Sequence, residues 1–325
     1  MRMRPTLVVA LPVLLLFTSP QLALTQNVFR IGALISDDLF LPAIEGFKKK
    51  MAELGYTEGK NINYELHNAK GSAETLNKLA ARVVQAKPDL IVTSSTTATA
   101  PVAKMTSGTD LPVVFLSAGN PLEFVNSYAS SGNNLTGISS ATVALTAKRL
   151  ELLKELAPWV KRVASLNNPN GVNYRENLVA VREAAGKLRF TVTEINVTSR
   201  EELVRETAAI TRRVTDAIFL PPDTVITKNI EVLVTHCIKE KLPLIPPSPQ
   251  SLVERGGLAT YAPDYLALGQ QGALLVHKIL KGSKPSDLPV EQPVKLKLVI
   301  NLKTANAIGL KIPKEMLLRA DEVIE

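Results

Sequence analysis

Short polar loops follow most of the apolar, strand-like segments of the sequence, and their side chains have the chemistry to hold a small polar molecule. Hydroxyl groups, together with the main-chain N–H groups of helices that start nearby, are the donors that a carboxylate or another anion needs. Asp223 and Asp264 could accept hydrogen bonds from an ammonium or hydroxyl group. The candidate ligand-binding residues are Ser36, Asp37, Ser94, Ser95, Thr96, Ser117, Asn120, Asn168, Asp223, Ser248 and Asp264.

Each of these residues also has a simpler explanation, because Ser, Thr, Asp and Asn are the residues that most often cap helix N-termini. For any single residue both interpretations stay open. Parallel strands, however, bring their carboxyl ends to one edge of a sheet, where ligands bind in open α/β folds. A shared cleft therefore explains the whole set of loops better than capping alone. The loops are 36–38, 94–97, 117–121, 167–170, 221–224, 246–248 and 261–264.

Motifs for catalysis are missing from the sequence. It contains no Gly-x-Ser-x-Gly, no Gly-x-Gly-x-x-Gly and no His-Glu-x-x-His. His67, His236 and His277 fall inside strand or helix patterns, away from the polar loops. Cys237 is the single cysteine, so neither an intrachain disulfide nor a cysteine-ligated metal cluster can form. We therefore expect a binding protein that is not an enzyme, with no cofactor and no metal.

Alternating strands and helices would position the loops. A helix stripe formed by Ile44, Phe47, Met51 and Leu54 lies between the first two strand patterns, and Ser72 is a suitable N-cap for the next helix. Further on, Ser199 and Glu202 form a capping box. The strand patterns are 28–35, 61–66, 89–93, 111–116, 162–166, 190–197, 217–220 and 242–245.

This alternation predicts an α/β fold with two Rossmann-like lobes, each a doubly wound parallel sheet, and a ligand cleft between the lobes. The predicted crossover between the halves lies near Ser139 to Thr142. We assign 27–139 and about 264–295 to the N-terminal lobe, because a helix pattern at 265–281 returns to it. The C-terminal lobe would comprise 140–263 and about 296–325, and 1–26 would precede both as a signal peptide.

The first 26 residues have the pattern of an export signal. Arg2 and Arg4 precede an apolar segment at 6–18, and small residues follow at 22–26. The apolar segment is shorter than the roughly 20 residues that a membrane-spanning helix needs, although an uncleaved anchor is the alternative. No cysteine ends the segment, so we expect an unlipidated protein in the periplasm, exported by a cleavable signal peptide.

Length and charge narrow the function further. The chain has 325 residues, which suits two lobes better than one small core. Its net charge of +8 is spread along predicted helix faces, with no basic cluster interleaved with aromatic residues. We therefore expect a small-molecule ligand as the partner and no nucleic acid, and we expect a monomer.

Several sequence motifs occur together in a familiar order. The similarity extends from about residue 28 to the end of the chain, and the set resembles the ABC transporter substrate-binding family, which includes the TrpX-like tryptophan- and tyrosine-binding proteins. The motifs include Arg30-Ile31-Gly32, Glu53-Leu54-Gly55-Tyr56, Asn134-Leu135-Thr136-Gly137, Lys148-Arg149-Leu150-Glu151-Leu152 and Arg319-Ala320-Asp321-Glu322-Val323-Ile324.

The resemblance implies a type I periplasmic-binding-protein fold whose lobes close around a solute and deliver it to an ABC permease in the inner membrane. An aromatic amino acid, or a related aromatic or carboxylate solute, is the ligand implied by default. Many relatives have Asp-Pro where this chain has Asn120-Pro121, which removes one carboxylate from the expected site. Two other functions stay open: a ligand-sensing subunit of a membrane signalling protein, and an exported α/β enzyme.

Overall fold

The structure, a computed structural model, describes residues 28–325. The predicted signal peptide at 1–26 lies outside the described residues. Within them, no helix is long and apolar enough to cross a membrane. Two parallel sheets with helices on both faces form two lobes, as the sequence patterns predict.

The first lobe is built on five parallel strands in the order β2-β1-β3-β4-β5. Buried aliphatic runs form the central strands, which are covered on both faces and therefore need no polar side. Its elements are β1 (Phe29–Ile35), α1 (Leu41–Glu53), β2 (Ile62–Asn68), α2 (Ala73–Gln85), β3 (Leu90–Ser94), α3 (Thr96–Thr106), β4 (Val113–Ala118) and β5 (Leu135–Ser139).

The second lobe has four parallel strands in the order β7-β6-β8-β9. Ser199 accepts a hydrogen bond from the N–H of Glu202, which confirms half of the predicted capping box. The Glu202 carboxylate accepts from the N–H and hydroxyl of Thr198 rather than from the N–H of Ser199. Its elements are α4 (Thr146–Leu156), β6 (Arg162–Asn167), α5 (Tyr174–Leu188), β7 (Thr191–Asn196), α6 (Arg200–Ala209), β8 (Ala217–Phe219), α7 (Thr224–Lys228), α8 (Ile230–Glu240) and β9 (Leu244–Ile245).

The C-terminal third departs from a purely parallel arrangement. A third sheet has the order β10-β11-β12, in which β11 runs antiparallel to β10 and parallel to β12. The direction reverses because the chain leaves the second lobe after β10, forms α10 and then returns. The elements are α9 (Ser251–Glu254), β10 (Ala259–Pro263), α10 (Tyr265–Leu280), β11 (Leu296–Asn301), α11 (Leu302–Ile308), α12 (Lys314–Arg319) and β12 (Glu322–Ile324).

Helix α10 packs on α1 and on strands β4 and β5 of the first lobe. Two glycines allow this close packing: a Cβ atom at Gly46 would overlap the backbone of Leu266, and one at Gly269 would overlap that of Ala43. Beyond α10, Glu291 bridges to Ile138 in β5 and extends the edge of the first sheet. The lobe boundaries proposed from the sequence stay a prediction, but α10 itself is anchored to the first sheet.

Candidate ligand-binding site

A cavity of about 330 Å³ lies between the two lobes. Its walls are the loops that follow β1, β3 and β4 in the first lobe and β6, β8 and β9 in the second, at the carboxyl ends of the strands. This is the edge where open parallel sheets bind ligands. Seven of the predicted site residues line the cavity, namely Ser36, Ser95, Thr96, Ser117, Asn168, Asp223 and Ser248.

The first-lobe wall is a hydrogen-bonded network at the start of α3. Ser117 Oγ lies 2.8 Å from Ser94 Oγ and accepts from the N–H of Ser95 at 3.2 Å. The hydroxyl of Ser95 caps α3 by accepting from the N–H of Ala98 at 3.0 Å. Thr96 Oγ1 accepts from the N–H of Gly119 at 2.8 Å. The network holds Ser95 at a φ of 93°, a backbone conformation that L-residues rarely adopt and that surrounding contacts must maintain.

This geometry leaves main-chain donors at the cavity. Thr96 and Thr97 are the first two residues of α3, and both line the cavity. The N–H groups of a first helical turn have no partner inside their helix, and the helix dipole adds partial positive charge there. Ser140 and Thr142 bring further hydroxyl groups to the same cavity. The first-lobe wall can therefore bind a carboxylate.

The second-lobe wall presents acceptors. Asp223 caps α7, because its Oδ1 accepts from the N–H of Ile226 at 3.0 Å. Burial raises the pKa of Asp223 above its ordinary value, although hydrogen bonds from Ile226 and Asn168 oppose the rise. Asn173 also lines the cavity, and its buried Oδ1 has no hydrogen-bond partner in the part of the chain that the structure describes. These oxygens can receive a cationic donor from a ligand.

Aromatic and apolar side chains complete the lining of the cavity. The rings of Phe40 and Tyr265 lie 5.7 Å apart, inclined at 51°, and both contact the cavity. The hydroxyl of Tyr265, on the first lobe, hydrogen-bonds Ser248 of the second lobe at 3.0 Å, and burial raises the pKa of Tyr265 to about 12. The remaining apolar lining includes Leu39, Leu76, Val172, Pro222, Val225 and Pro247.

Four predicted site residues do not line the cavity. Ser94 is fully buried behind the wall, where it holds Ser117. Asp37 accepts from the N–H of Leu39 at 2.8 Å, while its second carboxylate oxygen is buried without a partner among the described residues. Asn120 precedes a short 3-10 helix at Pro121–Glu123. The structure therefore places Ser94, Asp37 and Asn120 near the cavity loops but not in the cavity lining.

Asp264, the fourth of these residues, is already paired. It caps α10 through the N–H of Ala267, and its carboxylate lies 3.1 Å from Lys295 Nζ and 3.4 Å from Lys297 Nζ. Burial alone would raise the pKa of Asp264, but these lysines and the N–H of Ala267 lower it below its ordinary value. Two cations thus occupy the carboxylate that the sequence offered for a ligand's ammonium.

Sequence reasoning missed several cavity residues, including Phe40, Asn173 and Tyr265. Phe40 directly precedes α1, and Tyr265 is the first residue of α10; both helices follow predicted polar loops. Their position at a helix start was the sequence feature that could have identified them. Asn173 lies immediately before α5, the same position. A prediction based on polar loops therefore identified polar residues of the site and missed its aromatic ones.

Two α/β lobes that enclose a cavity at the carboxyl ends of their parallel strands define a two-lobe solute-binding protein of the type I periplasmic-binding class. The profile of the family described as ABC transporter substrate binding protein matches residues 29–324. The chain therefore belongs to this family, and the resemblance found in the sequence is confirmed.

Relatives of known structure or ligand agree with this assignment. The chain is 26% identical over 288 residues to the tyrosine-binding protein of Clostridioides difficile strain R20291, covering 88% of this chain and 82% of the relative. It is 29% identical to the ABC domain from Streptococcus pneumoniae solved in complex with L-Trp, with a TM-score of 0.83 and coverage of 92% and 100%. A leucine-binding protein from Thermotoga maritima, at 13% identity, a TM-score of 0.63 and coverage of 78% and 83%, shares the fold.

Proposed function

We propose that this chain captures an aromatic amino acid in the cavity between its lobes and delivers it to the permease of an ABC importer. The observation that carries the proposal is the arrangement of the cavity walls. Main-chain donors at the start of α3, the aromatic pair Phe40 and Tyr265, and the acceptors Asp223 and Asn173 all line the same cavity. An α-amino acid with an aromatic side chain has one chemical group for each of these three surfaces.

The ligand carboxylate belongs at the first-lobe wall. Hydrogen bonds from the N–H groups of Thr96 and Thr97 to an ionised carboxylate are charge-assisted and stronger than neutral ones. The pairing of Ser94, Ser95 and Ser117 with one another holds this wall in place before a ligand arrives. Little ordering of side chains then opposes binding at this wall.

The ligand ammonium belongs beside Asp223. An ammonium group close to this carboxylate favours its charged form and offsets the burial that raises its pKa. The unpaired Oδ1 of Asn173 offers a second acceptor. A ligand without an amino group would leave the Asn173 oxygen buried and without a donor, which costs about 1 to 3 kcal/mol, and would leave the Asp223 carboxylate without a cationic partner.

The ligand ring belongs against Phe40 and Tyr265. Offset or edge-to-face contacts between aromatic rings add about 0.5 to 1.5 kcal/mol to the burial of apolar area. The cavity volume of about 330 Å³ lies within the range of small-molecule sites, roughly 300 to 1,000 Å³. The tyrosine-binding relative and the relative solved with L-Trp support a ligand of this class.

The remaining parts of the proposal come from the sequence. We place the protein in the periplasm as an unlipidated monomer, released by cleavage of a signal peptide at 1–26, and without catalytic activity, cofactor or nucleic-acid partner. The lobes would comprise 27–139 with about 264–295, and 140–263 with about 296–325. Closure of these lobes would present the loaded protein to the permease.

Thermal unfolding with L-tryptophan, L-tyrosine and L-phenylalanine tests the ligand. A ligand that binds only the folded state adds RT ln(1 + [L]/Kd), or about 2.7 kcal/mol when present at 100 times its Kd. We expect a raised unfolding midpoint with at least one of the three. Indole-3-propionate, which keeps the ring and carboxylate but lacks the amino group, serves as the matched control and should give a smaller shift. No shift with any amino acid at millimolar concentration would contradict the proposal.

Uptake by cells tests the delivery step. Deleting the gene should reduce the uptake of the radiolabelled amino acid that stabilises the protein, and expressing the chain again should restore it. Unchanged uptake together with tight binding in solution would favour the ligand-sensing alternative, because a sensor subunit binds the same solute without transporting it.

A further inference from the structure

A direct contact joins the two lobes at the mouth of the cavity, away from the network at α3. Lys228, the last residue of α7 in the second lobe, donates through Nζ to the main-chain oxygen of Lys70 in the first lobe at 2.6 Å. Gly71, next to the acceptor, and Thr227, next to the donor, both line the cavity. The hydrogen bond therefore joins the two lobes next to one cavity-lining residue on each side.

The accepting side is a turn that the first lobe holds firmly. Lys70 and Gly71 have φ values of 51° and 73°, and two successive residues in this left-handed region make a sharp turn. The N–H of Lys70 donates to Asn68 Oδ1 at 2.8 Å, and the N–H of Gly71 donates to the oxygen of Ser36 at 2.8 Å. Both amide groups of the turn are thus bound to the first lobe.

The carboxylate of Asp38 also binds this turn. Asp38 accepts from Lys70 Nζ at 2.6 Å and from Asn68 Nδ2 at 2.7 Å. The side chain of Lys70 is therefore held by its own lobe, and its main-chain oxygen is the group that meets the second lobe. Contacts within the first lobe alone therefore fix the position of the acceptor.

Arg255 holds the end of α7, which carries the donor Lys228, in place within the second lobe. Arg255 donates through Nη2 to the oxygen of Lys228 at 3.0 Å and pairs with Glu231 at 2.8 Å. Its other terminal nitrogen reaches the oxygen of Thr227 at 3.4 Å. These contacts hold the end of α7 and present the Lys228 side chain at a defined place.

A larger residue in the turn would displace the Lys228 side chain. A Cβ atom at position 71 would lie 2.5 Å from Cδ and 3.0 Å from Nζ of Lys228. Charge also couples the lobes here: burial raises the pKa of Asp37, and the positive charges of Lys228 and Arg255 across the cavity oppose that rise. Lys228 thus packs against Gly71 of the first lobe, and its positive charge acts on Asp37 of the same lobe.

We infer that Lys228 and the Lys70–Gly71 turn form a latch that holds the lobes together after a ligand has entered and so slows its release. This inference rests on the proposed function, because it assumes a ligand trapped by lobe closure. Lys228 is not among the residues that line the cavity, so it acts as a positioning residue. Its loss should act on dissociation, since most affinity changes at one site appear in koff.

The test compares Lys228→Met, which removes the ammonium and keeps most of the aliphatic stem, with Lys239→Met on the exposed face of α8. L-Tryptophan and L-tyrosine are the probes, and rates are measured by stopped flow and by chase of radiolabelled ligand. We expect koff to rise about fivefold to tenfold in Lys228→Met, as for the loss of one solvent-exposed hydrogen bond. The value of kon should rise less than koff, because a latch that also closes the ligand-free lobes slows ligand entry, and the unfolding midpoint without ligand should not change.

Lys228→Arg should restore koff to within about twofold of the wild type, because it keeps a charged donor. An unchanged koff in Lys228→Met, or an equal rise in Lys239→Met, would overturn the latch. If wild-type protein binds neither amino acid, the proposed function fails, and small-angle scattering without ligand then decides on the latch. The latch predicts a larger radius of gyration for Lys228→Met than for the wild type, and equal radii would refute it.

Discussion

The two polar walls of the cavity differ in how their hydrogen bonds are satisfied. On the first lobe, the hydroxyl groups of Ser94, Ser95 and Ser117 bind one another or nearby main-chain groups. On the second lobe, Asn173 keeps a buried oxygen without a partner among the residues described, and Asp223 caps α7 with one carboxylate oxygen. The hydroxyl network at the start of α3 is complete in the protein alone, although Ser36 Oγ on the same lobe has no partner among the described residues. In the second wall the unpaired acceptor is Asn173 Oδ1.

This difference has an energetic consequence. A buried polar group that lacks a partner costs free energy until a ligand supplies one. Substitutions in the first wall should therefore reduce both stability and affinity, because they break bonds that exist without ligand. Substitution of the unpaired acceptor in the second wall, or of Asp223 by a residue that still caps α7, should reduce affinity and leave stability nearly unchanged. Three substitutions test this contrast.

Asp223→Asn should have the largest effect on binding. Asparagine can still cap α7, so the fold should persist, but the charge that attracts the ligand ammonium is lost. We expect Kd for L-tryptophan or L-tyrosine to rise about 30-fold, equivalent to about 2 kcal/mol. Titration calorimetry measures the change. Asp264→Asn is the matched control, since Asp264 also caps a helix but lies off the cavity, and its Kd should stay within about twofold of the wild type.

The pH dependence of binding provides a second readout for the same carboxylate. Burial raises the pKa of Asp223 above the ordinary range of an aspartate. Protonation removes the charge, so affinity should fall as the pH decreases through this raised pKa and should be regained above it. Asp223→Asn should lose this acid-side dependence. An equally steep dependence in the variant would assign the titration to another group.

Ser117→Ala should have the next largest effect and should act on stability as well. It leaves the hydroxyl of Ser94 and the N–H of Ser95 without their partner, and both residues are buried. We expect a loss of about 1 to 3 kcal/mol in the free energy of unfolding, measured by urea denaturation, and a rise in Kd of about tenfold. Ser130→Ala, in an exposed loop, is the control and should change neither quantity appreciably. A loss of affinity without a loss of stability would contradict the contrast.

Asn173→Ala should have the smallest effect, confined to binding. Its Oδ1 has no partner within residues 28–325, so the ligand-free protein should keep its free energy of unfolding to within about 0.5 kcal/mol. Kd should rise about fivefold, equivalent to about 1 kcal/mol. If stability falls as much as in Ser117→Ala, the two walls do not differ in the way described.

The local sequence was sufficient to predict most of the helices and strands. The β1, β3 and β4 segments are apolar runs bounded by polar or glycine-containing loops, whereas β2 was predicted from alternating apolar residues, and the structure confirms all four strands. Ser72 caps α2 as expected, because it accepts from the N–H of Thr75. Signals of this kind depend on neighbours within a few residues, so they can be recognised without knowledge of the fold.

Arrangements that depend on distant segments could not be predicted in the same way. The antiparallel pairing of β11 with β10 follows from where α10 docks, and α10 docks on α1 through glycines at 46 and 269. Asp264 is neutralised by Lys295 and Lys297, some 30 residues later in the chain. Nothing in the short sequence around Asp264 indicates these partners.

For the cavity itself, the sequence determined the polar groups, since loops at strand ends must gather at one edge of a parallel sheet. Tertiary structure decided which of those groups reach the cavity and what lies between them. It brought Phe40 from the start of α1 against Tyr265 from the start of α10, and it placed Asp223 and Asn173 in the same cavity as the start of α3. Strand ends are specified by local hydrophobic pattern, whereas contacts between lobes depend on packing of segments far apart in the chain.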